Sequence, residues 1–176
     1  MSYDYWKWDK VIPKEYCNVI LNSINWDKKI DARINSGEKA LEKRKTDIVW
    51  EMPLSVIGCI ADKYIRIANI CAGWDFNITN IDDIQIGKYH SNGFYDWHID
   101  TNKKEDIPRK LSFSMLLNDC SEFEEGKFEF KNLDEQPILE QGTIIVFPSD
   151  LLHRVTPVTK GERISAVTWM RGPKFK

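Results

Sequence analysis

An α+β domain, a small barrel or two-sheet sandwich backed by helices, is what three observations predict. Helical periodicity is confined to the stretch before about Ala72. From Phe76 onwards the apolar residues recur with a period of two. The short extended runs are parted by turn-rich pieces such as NKKEDIP, EEGK and TKGE. Helices first and many short strands afterwards place such a chain outside the alternating α/β class.

The chain opens with Tyr3–Trp8, aromatic and mixed, read as an edge strand. Lys14–Trp26 reads as a helix entered near Pro13, with Cys17, Ile20, Leu21 and Ile24 on one face. The charged run from Lys28 to Lys45, with Gly37 as a breaker, is either a solvated loop or a basic lid that touches substrate. Thr46–Met52 is a short strand ending at Pro53, and Ser55 caps a second helix running to about Ala72. Val56, Ile60, Tyr64, Ile67 and Cys71 fall at helical spacing and are its expected core face. The strands that follow are marked by Ile84 and Ile86, by Tyr95–Ile99, and by Leu111, Phe113, Met115 and Leu117 alternating with Lys110, Ser112 and Ser114. Phe128 with Phe130, Thr143–Phe147 between Gly142 and Pro148, and Arg163–Met170 complete the set.

With 176 residues, 42% hydrophobic and 30% charged, the chain is expected to form one domain over residues 1–176 with a core of its own. Residues 1–75 would serve as helical support and residues 76–171 as the β core. A net charge of -2 gives no overall attraction to nucleic acid or to an anionic membrane. No stretch approaches the roughly 20 apolar residues that span a bilayer, and the first residues lack the pattern of a signal peptide. Cys17, Cys59, Cys71 and Cys120 show neither zinc spacing nor a disulfide framework, and are expected as free buried thiols in a reducing, cytoplasmic setting. Seven tryptophans fit an aromatic-walled interior.

One tripeptide carries chemistry. In an extended strand His98 and Asp100 project side by side while Ile99 faces away. One further nitrogen would complete the two-histidine, one-carboxylate face of a non-haem Fe(II) oxygenase, and His153 is the only histidine downstream to supply it. Arg163 lies ten residues beyond His153, with Ser165 on the same strand face. Its planar fork of donors suits a carboxylate, although a lone arginine is more often a salt-bridged surface residue.

The pieces YHSNGFYDWHID, LSFSMLLND, EEGKFEF and GTIIVFPSDLLHRVTPVTKGERISAVTWMRG, in that order between about Ile84 and Arg171, resemble the double-stranded β-helix of the Fe(II)/2-oxoglutarate-dependent dioxygenases. The resemblance is to the prolyl 4-hydroxylase-like branch, which includes the bacterial PKHD-type hydroxylases. It implies a jelly-roll, cupin-like core with N-terminal supporting helices. It also implies a hydroxylase that uses Fe(II), 2-oxoglutarate and dioxygen, yielding succinate and carbon dioxide as one oxygen atom enters a substrate C–H bond. By position it makes His98, Asp100 and His153 the iron ligands and Arg163 the partner of the distal carboxylate of 2-oxoglutarate. Ser165 and Tyr89 become helpers toward the cosubstrate, and Tyr95 an aromatic near the substrate. Trp169 falls on the Arg163 face as a wall of the pocket or as ordinary core, and Trp97 is either an entrance contact or core. Two departures stand out. A single Gly126 replaces a glycine pair, which is expected to touch a loop more than the chemistry, and Met115 stands where some relatives place a cosubstrate-holding tyrosine.

The substrate implied is a C–H bond of a protein or peptide residue such as proline, threaded between Asp27–Lys45 and Thr101–Arg109. A nucleic-acid demethylase, a free amino-acid hydroxylase and a metal-free cupin-like binding module are the alternatives. The ten-residue spacing from His153 to Arg163 speaks against the first, the absence of a visible second set of charged anchors against the second, and the intact HxD…H…R set against the third.

Overall fold

The computed structural model describes residues 3–31 and 43–174, and they form three layers. The thirteen strands are β1 (Trp6–Trp8), β2 (Ile30–Asp31), β3 (Arg44–Lys45), β4 (Asp47–Glu51), β5 (Ile84–Tyr89), β6 (Phe94–His98), β7 (Arg109–Leu116), β8 (Phe123–Glu125), β9 (Phe128–Phe130), β10 (Ile144–Pro148), β11 (His153–Val155), β12 (Val158–Gly161) and β13 (Arg163–Arg171). The helices are α1 (Lys14–Ser23) and α2 (Val56–Cys71). The larger sheet runs β1-β10-β7-β13-β5-β4-β2, the smaller β3-β6-β11-β9, and β12 pairs with β8 in a separate ribbon. All pairings are antiparallel, and from β5 onwards the chain passes back and forth between the two larger sheets. This is the jelly-roll arrangement expected from the resemblance.

The larger sheet is buried on both faces. One face carries Ile84, Ile86, Leu111, Phe113, Met115, Ile144 and Val146 against Cys17 and Ile20 of α1 and Ile57, Ala61, Ile65 and Ala68 of α2. The other turns Ile145 and Phe147 toward Phe128, Phe130 and Val155 of the smaller sheet. Strands covered on both sides normally read as continuous apolar runs. Here β5, β7 and β13 keep Gln85, Ser112, Ser114 and Ser165 at buried positions on the inner face. Those polar positions enclose the candidate site.

Several expectations need correction. The core face of α2 is Ile57, Ala61, Ile65 and Ala68, with Val56 at 66% exposure and Ile67 and Cys71 also exposed; Ile60 and Tyr64 only flank the core. That helix is apolar nearly all round, and its alanines allow the close approach to the sheet. Ser55 does cap it, its Oγ accepting from the Gly58 N–H at 3.3 Å. α1 ends at Ser23, and Trp26–Lys28 forms a separate 3-10 turn. Of the cysteines only Cys17 is buried; Cys59, Cys71 and Cys120 are exposed, and all four are free. The EEGK and TKGE pieces belong to the β8–β12 ribbon, whose short strands the turn residues conceal. From the charged segment the structure describes Ile30–Asp31 and Arg44–Lys45 as strands, while residues 32–42, where a lid would lie, are outside the described residues. Among the described residues no helix is long and apolar enough to cross a membrane.

Gly142 fixes the entry to β10. Its φ is +80°, and a Cβ there would stand 1.9 Å from the Ile12 carbonyl oxygen, which is backbone and cannot step aside. Gly142→Ala should cost more than about 2 kcal/mol, lowering Tm by at least about 4 °C in calorimetry. A Tm within about 1 °C of the parent would contradict this account of the turn.

Candidate active site

Sequence neighbours and sheet pairing together assemble the central group. His98 ends β6, His153 begins β11, and the two are direct cross-strand partners. Asp100 follows two residues after His98, where the chain leaves the sheet. Its N–H and that of Thr101 both donate to the Ser149 carbonyl, at 2.9 and 3.1 Å, while the Ser149 N–H donates to Lys110 O at 3.0 Å. Ser149 thus ties the chain after β6 to the ends of β7 and β10. The Ser112 hydroxyl, on the inner face of β7, donates to Asp100 Oδ2 at 2.7 Å and lies 2.9 Å from Ser149 Oγ.

Both imidazoles are held in the same way. His98 Nδ1 is 2.8 Å from the Asp96 carbonyl and His153 Nδ1 is 2.9 Å from the Leu151 carbonyl. A carbonyl only accepts, so each Nδ1 carries the proton and each Nε2 presents a lone pair. His98 Nε2 lies 3.6 Å from Asp100 Oδ1 and His153 Nε2 lies 3.5 Å from Oδ2. Those separations are long for hydrogen bonds. Donor atoms bonded to one metal at about 2.0–2.2 Å stand roughly 3–3.5 Å apart, and the three donors here all fall within 4.8 Å of one another. The residues fit a common ion.

Aromatic rings complete the support. Tyr95 stacks on His98 at 3.5 Å between centroids, and Phe147 meets His153 edge-on at 4.8 Å. Burial, then the facing His153, pulls the His98 imidazole down to about 4. Burial pushes the Asp100 carboxyl up, but His153, His98, the Ser112 hydroxyl and the Trp169 side chain outweigh it and hold the group below the ordinary carboxylate range. Burial raises the Tyr95 phenol to about 12, so it remains a donor at neutral pH.

The cavity beside these residues is lined by Tyr89, Tyr95, Arg163, Ser165 and Trp169, which brings every sequence-predicted site residue together except Trp97. Arg163 is 2% exposed and stands opposite Tyr89 across β13 and β5. Its Nη1 donates to Ser165 Oγ at 2.9 Å, and its guanidinium lies 5.6 Å from the Tyr89 ring. Burial lowers its pKa, yet a guanidinium keeps its charge in proteins. Trp169 is both wall and platform, since the Arg109 guanidinium lies 3.6 Å over its ring while Asp82 accepts from Arg109 Nε.

Met115 lies in the helix-facing core, and Ser114, paired with cavity-lining Val167, is a polar β7 residue that lines the cavity. Gly126 packs against Arg163 as well as shaping its own turn. Its φ is +61°, and a Cβ there would meet Arg163 Cδ at 3.0 Å and Val158 Cγ2 at 2.8 Å. Trp97 is neither entrance nor core, but packs under the Arg154 guanidinium at 4.5 Å, away from the cavity. Sequence reasoning missed Gln85 and Ser112, although a polar residue on a strand buried on both faces is a signal that finds them. It also missed Arg44, which lines the cavity and lies 4.5 Å over the Tyr95 ring. Nothing in the EKRKT run singles that residue out.

The family model described as the 2OG-Fe(II) oxygenase superfamily matches residues 84–171, half of the chain. A PKHD-type hydroxylase from Synechococcus sp. (strain CC9902) is 30% identical over 145 residues, covering 80% of this chain and 65% of the relative. A second, from Idiomarina loihiensis, is 32% identical over 90 residues, or 41% of its own length, so the chain spans roughly two fifths to two thirds of these curated relatives. Among solved structures, the viral collagen prolyl hydroxylase of Paramecium Bursaria Chlorella virus-1, in its 2OG complex, superimposes with a TM-score of 0.74 at 24% identity, over 97% of both chains. The likeness in fold therefore extends well beyond the stretch that the family model covers.

The unfolded chain protonates His98 near 6.5, whereas the folded, metal-free protein resists until about 4. The stability contributed by a neutral, buried imidazole is therefore whole above pH 6.5 and is lost as the pH falls toward 4. Thermal unfolding of chelator-treated protein should show Tm declining over that window, and less steeply in His98→Asn. A Tm that climbs on acidification over the same window would contradict the assignment.

Proposed function

The chain belongs to the 2OG-Fe(II) oxygenase superfamily, and from that premise we propose that it is a 2-oxoglutarate-dependent hydroxylase acting on a C–H bond of an amino-acid residue, prolyl first, in a protein or peptide. One observation carries the reading. Three donors suited to a metal and a buried arginine without a carboxylate partner face the same cavity. Similarity to PKHD-type hydroxylases in sequence and to prolyl hydroxylases in fold supports the choice of substrate.

His98, Asp100 and His153 would hold Fe(II), leaving positions open on the ion. When bound, the iron with 2-oxoglutarate and dioxygen supplies the oxidation that puts one oxygen atom into a C–H bond and releases succinate and carbon dioxide. The protein's share is placement. Arg163 offers its fork to the distal carboxylate of 2-oxoglutarate, with Ser165 and Tyr89 beside it. The two Nδ1-to-carbonyl bonds keep both Nε2 atoms aimed at one point, and Ser112 fixes the rotation of the Asp100 carboxylate. Tyr95 and Trp169 form apolar walls with polar edges, suited to holding a residue while excluding water.

Succinate formation with Fe(II) and 2-oxoglutarate, against a peptide panel and with mass spectrometry for a gain of one oxygen, tests the reading. His153→Ala should remove nearly all metal-dependent turnover while circular dichroism stays native; full activity would sink the metal assignment. Arg163→Ala should weaken 2-oxoglutarate binding by about 2–5 kcal/mol, with much less effect on Fe(II) affinity. An identical 2-oxoglutarate titration in both proteins would place that carboxylate elsewhere.

A further inference from the structure

Among the described residues, the arginines outside the cavity are paired with carboxylates. Arg66 pairs with Asp62, Arg109 and Arg171 with Asp82, and Arg154 with Glu129. Among the described residues Arg44 and Arg163 are the exceptions, and both line the cavity beside His98, Asp100 and His153. The cosubstrate accounts for Arg163 and leaves Arg44 unexplained.

Arg44 is 9% exposed, and its Nε and Nη2 are buried with no hydrogen-bond partner. Its Nη1 reaches only Gln85 Oε1, at a long 3.4 Å. Leaving charged donors dry and unsatisfied costs several kcal/mol, so a fold keeps such a group where a ligand completes it. The unsatisfied atoms are informative in themselves. Nε and Nη2 share one edge of the planar guanidinium, the edge that meets a carboxylate through two parallel N–H···O bonds. Position agrees with this. Arg44 is the cross-strand partner of Tyr95, its guanidinium lies 4.5 Å over the Tyr95 ring, and that ring also stacks on His98. Arg44 and the residues proposed to hold the metal thus contact the same ring and line the same cavity.

Charge balance points the same way. On the proposed function, a metal dication and the 2-oxoglutarate dianion cancel. The two cavity guanidinium groups then face the single carboxylate of Asp100, and one positive charge remains. We infer that Arg44 is a substrate-binding residue and that the substrate carries a carboxylate next to the C–H bond that reacts. This rests on the hydroxylase reading and adds a charge requirement to it, one that a free amino acid also meets. The carboxylate comes either from the α-carboxylate of a free amino acid or C-terminal residue, or from an acidic side chain beside the hydroxylated residue. An internal, uncharged prolyl segment would leave Arg44 unanswered.

The test is ligand binding, by tryptophan fluorescence or calorimetry, to anaerobic protein loaded with Fe(II) and 2-oxoglutarate. The probes are matched pairs: L-proline and prolinamide, a peptide ending in proline as free acid and as amide, and a doubly capped peptide with Glu or Gln beside an internal proline. At least one acid should bind about thirtyfold or more tighter than its amide partner, and which pair discriminates identifies the source of the carboxylate. Arg44→Gln should abolish that preference, Arg44→Lys should restore part of it, and 2-oxoglutarate should titrate within about twofold of wild type in both. Equal behaviour of acid and amide in every pair at millimolar ligand, whether both bind or neither does, overturns the inference without any variant. So does an Arg44→Gln protein that loses 2-oxoglutarate affinity and keeps the acid preference, since the guanidinium would then serve the cosubstrate. Wild-type protein that fails to bind 2-oxoglutarate at all overturns the hydroxylase reading, and this inference with it.

Discussion

Keeping a cluster of ionisable groups out of water is the constraint on which the rest of the structure depends. Asp100, His98, His153, Arg44 and Arg163 lie between two sheets, where each unpartnered charge costs several kcal/mol. The inner face of the larger sheet therefore carries hydroxyls and an amide where packing alone would place Val or Ile. Ser112 satisfies Asp100 and is itself bonded to Ser149, Ser165 takes one Arg163 donor, and Gln85 lies near Arg44. The stability given up on that face is recovered on the other, where α1 and α2 close an apolar core against the same strands. Each central strand then has two jobs, one per face, and its period-two pattern separates them.

That division explains how much was legible in the sequence. Arg163, Ser165 and Trp169 fall on the cavity face because strand parity fixes which side chains share a face, and the pairing of β13 with β5 and β7 keeps that face continuous. Asp100 joins His98 from just past the end of β6, where the Ser149 carbonyl holds the chain. Parity also shows why Met115 was misplaced: it alternates with Ser112 and Ser114 and so belongs with Leu111 and Phe113 on the helix side. The face of α2 was beyond sequence reasoning for a different reason. With apolar residues nearly all round, the buried stripe is chosen by how closely Ala61 and Ala68 let the helix approach the sheet, which is a tertiary decision. Arg44 had no signal, because a guanidinium in a charged run looks solvated until the fold buries it.

The histidine supports show the economy of the arrangement. Each Nδ1 donates to the carbonyl two residues earlier in the chain, at Asp96 for His98 and at Leu151 for His153. Backbone carbonyls do not titrate and change little with sequence, so both tautomers are set by local chain geometry. The carboxylate is treated differently. Asp100 sits just past the end of β6, and its place depends on the Ser149 carbonyl and the Ser112 hydroxyl. Of the three donors it alone takes a side-chain hydrogen bond from another strand, so its orientation is the one that a Ser112 substitution would change.

The two unpaired arginines are held by unlike parts of the fold, and their positions match the roles argued for them. Arg163 begins the long central strand β13, has Ser165 beside it, and has its stem packed against the space that Gly126 leaves open. A group so deeply braced suits a ligand that is the same in every turnover. Arg44 lies on the two-residue strand β3 at the edge of the smaller sheet, held by pairing with β6 and by the Tyr95 ring. Edge strands and the loops that feed them tolerate change, while central strands do not. On the roles proposed for them, a cosubstrate anchor in the centre and a substrate anchor at the edge would let selectivity vary without disturbing the three donors. The order of the strands would then separate the part of the site that performs the reaction from the part that chooses what is oxidised.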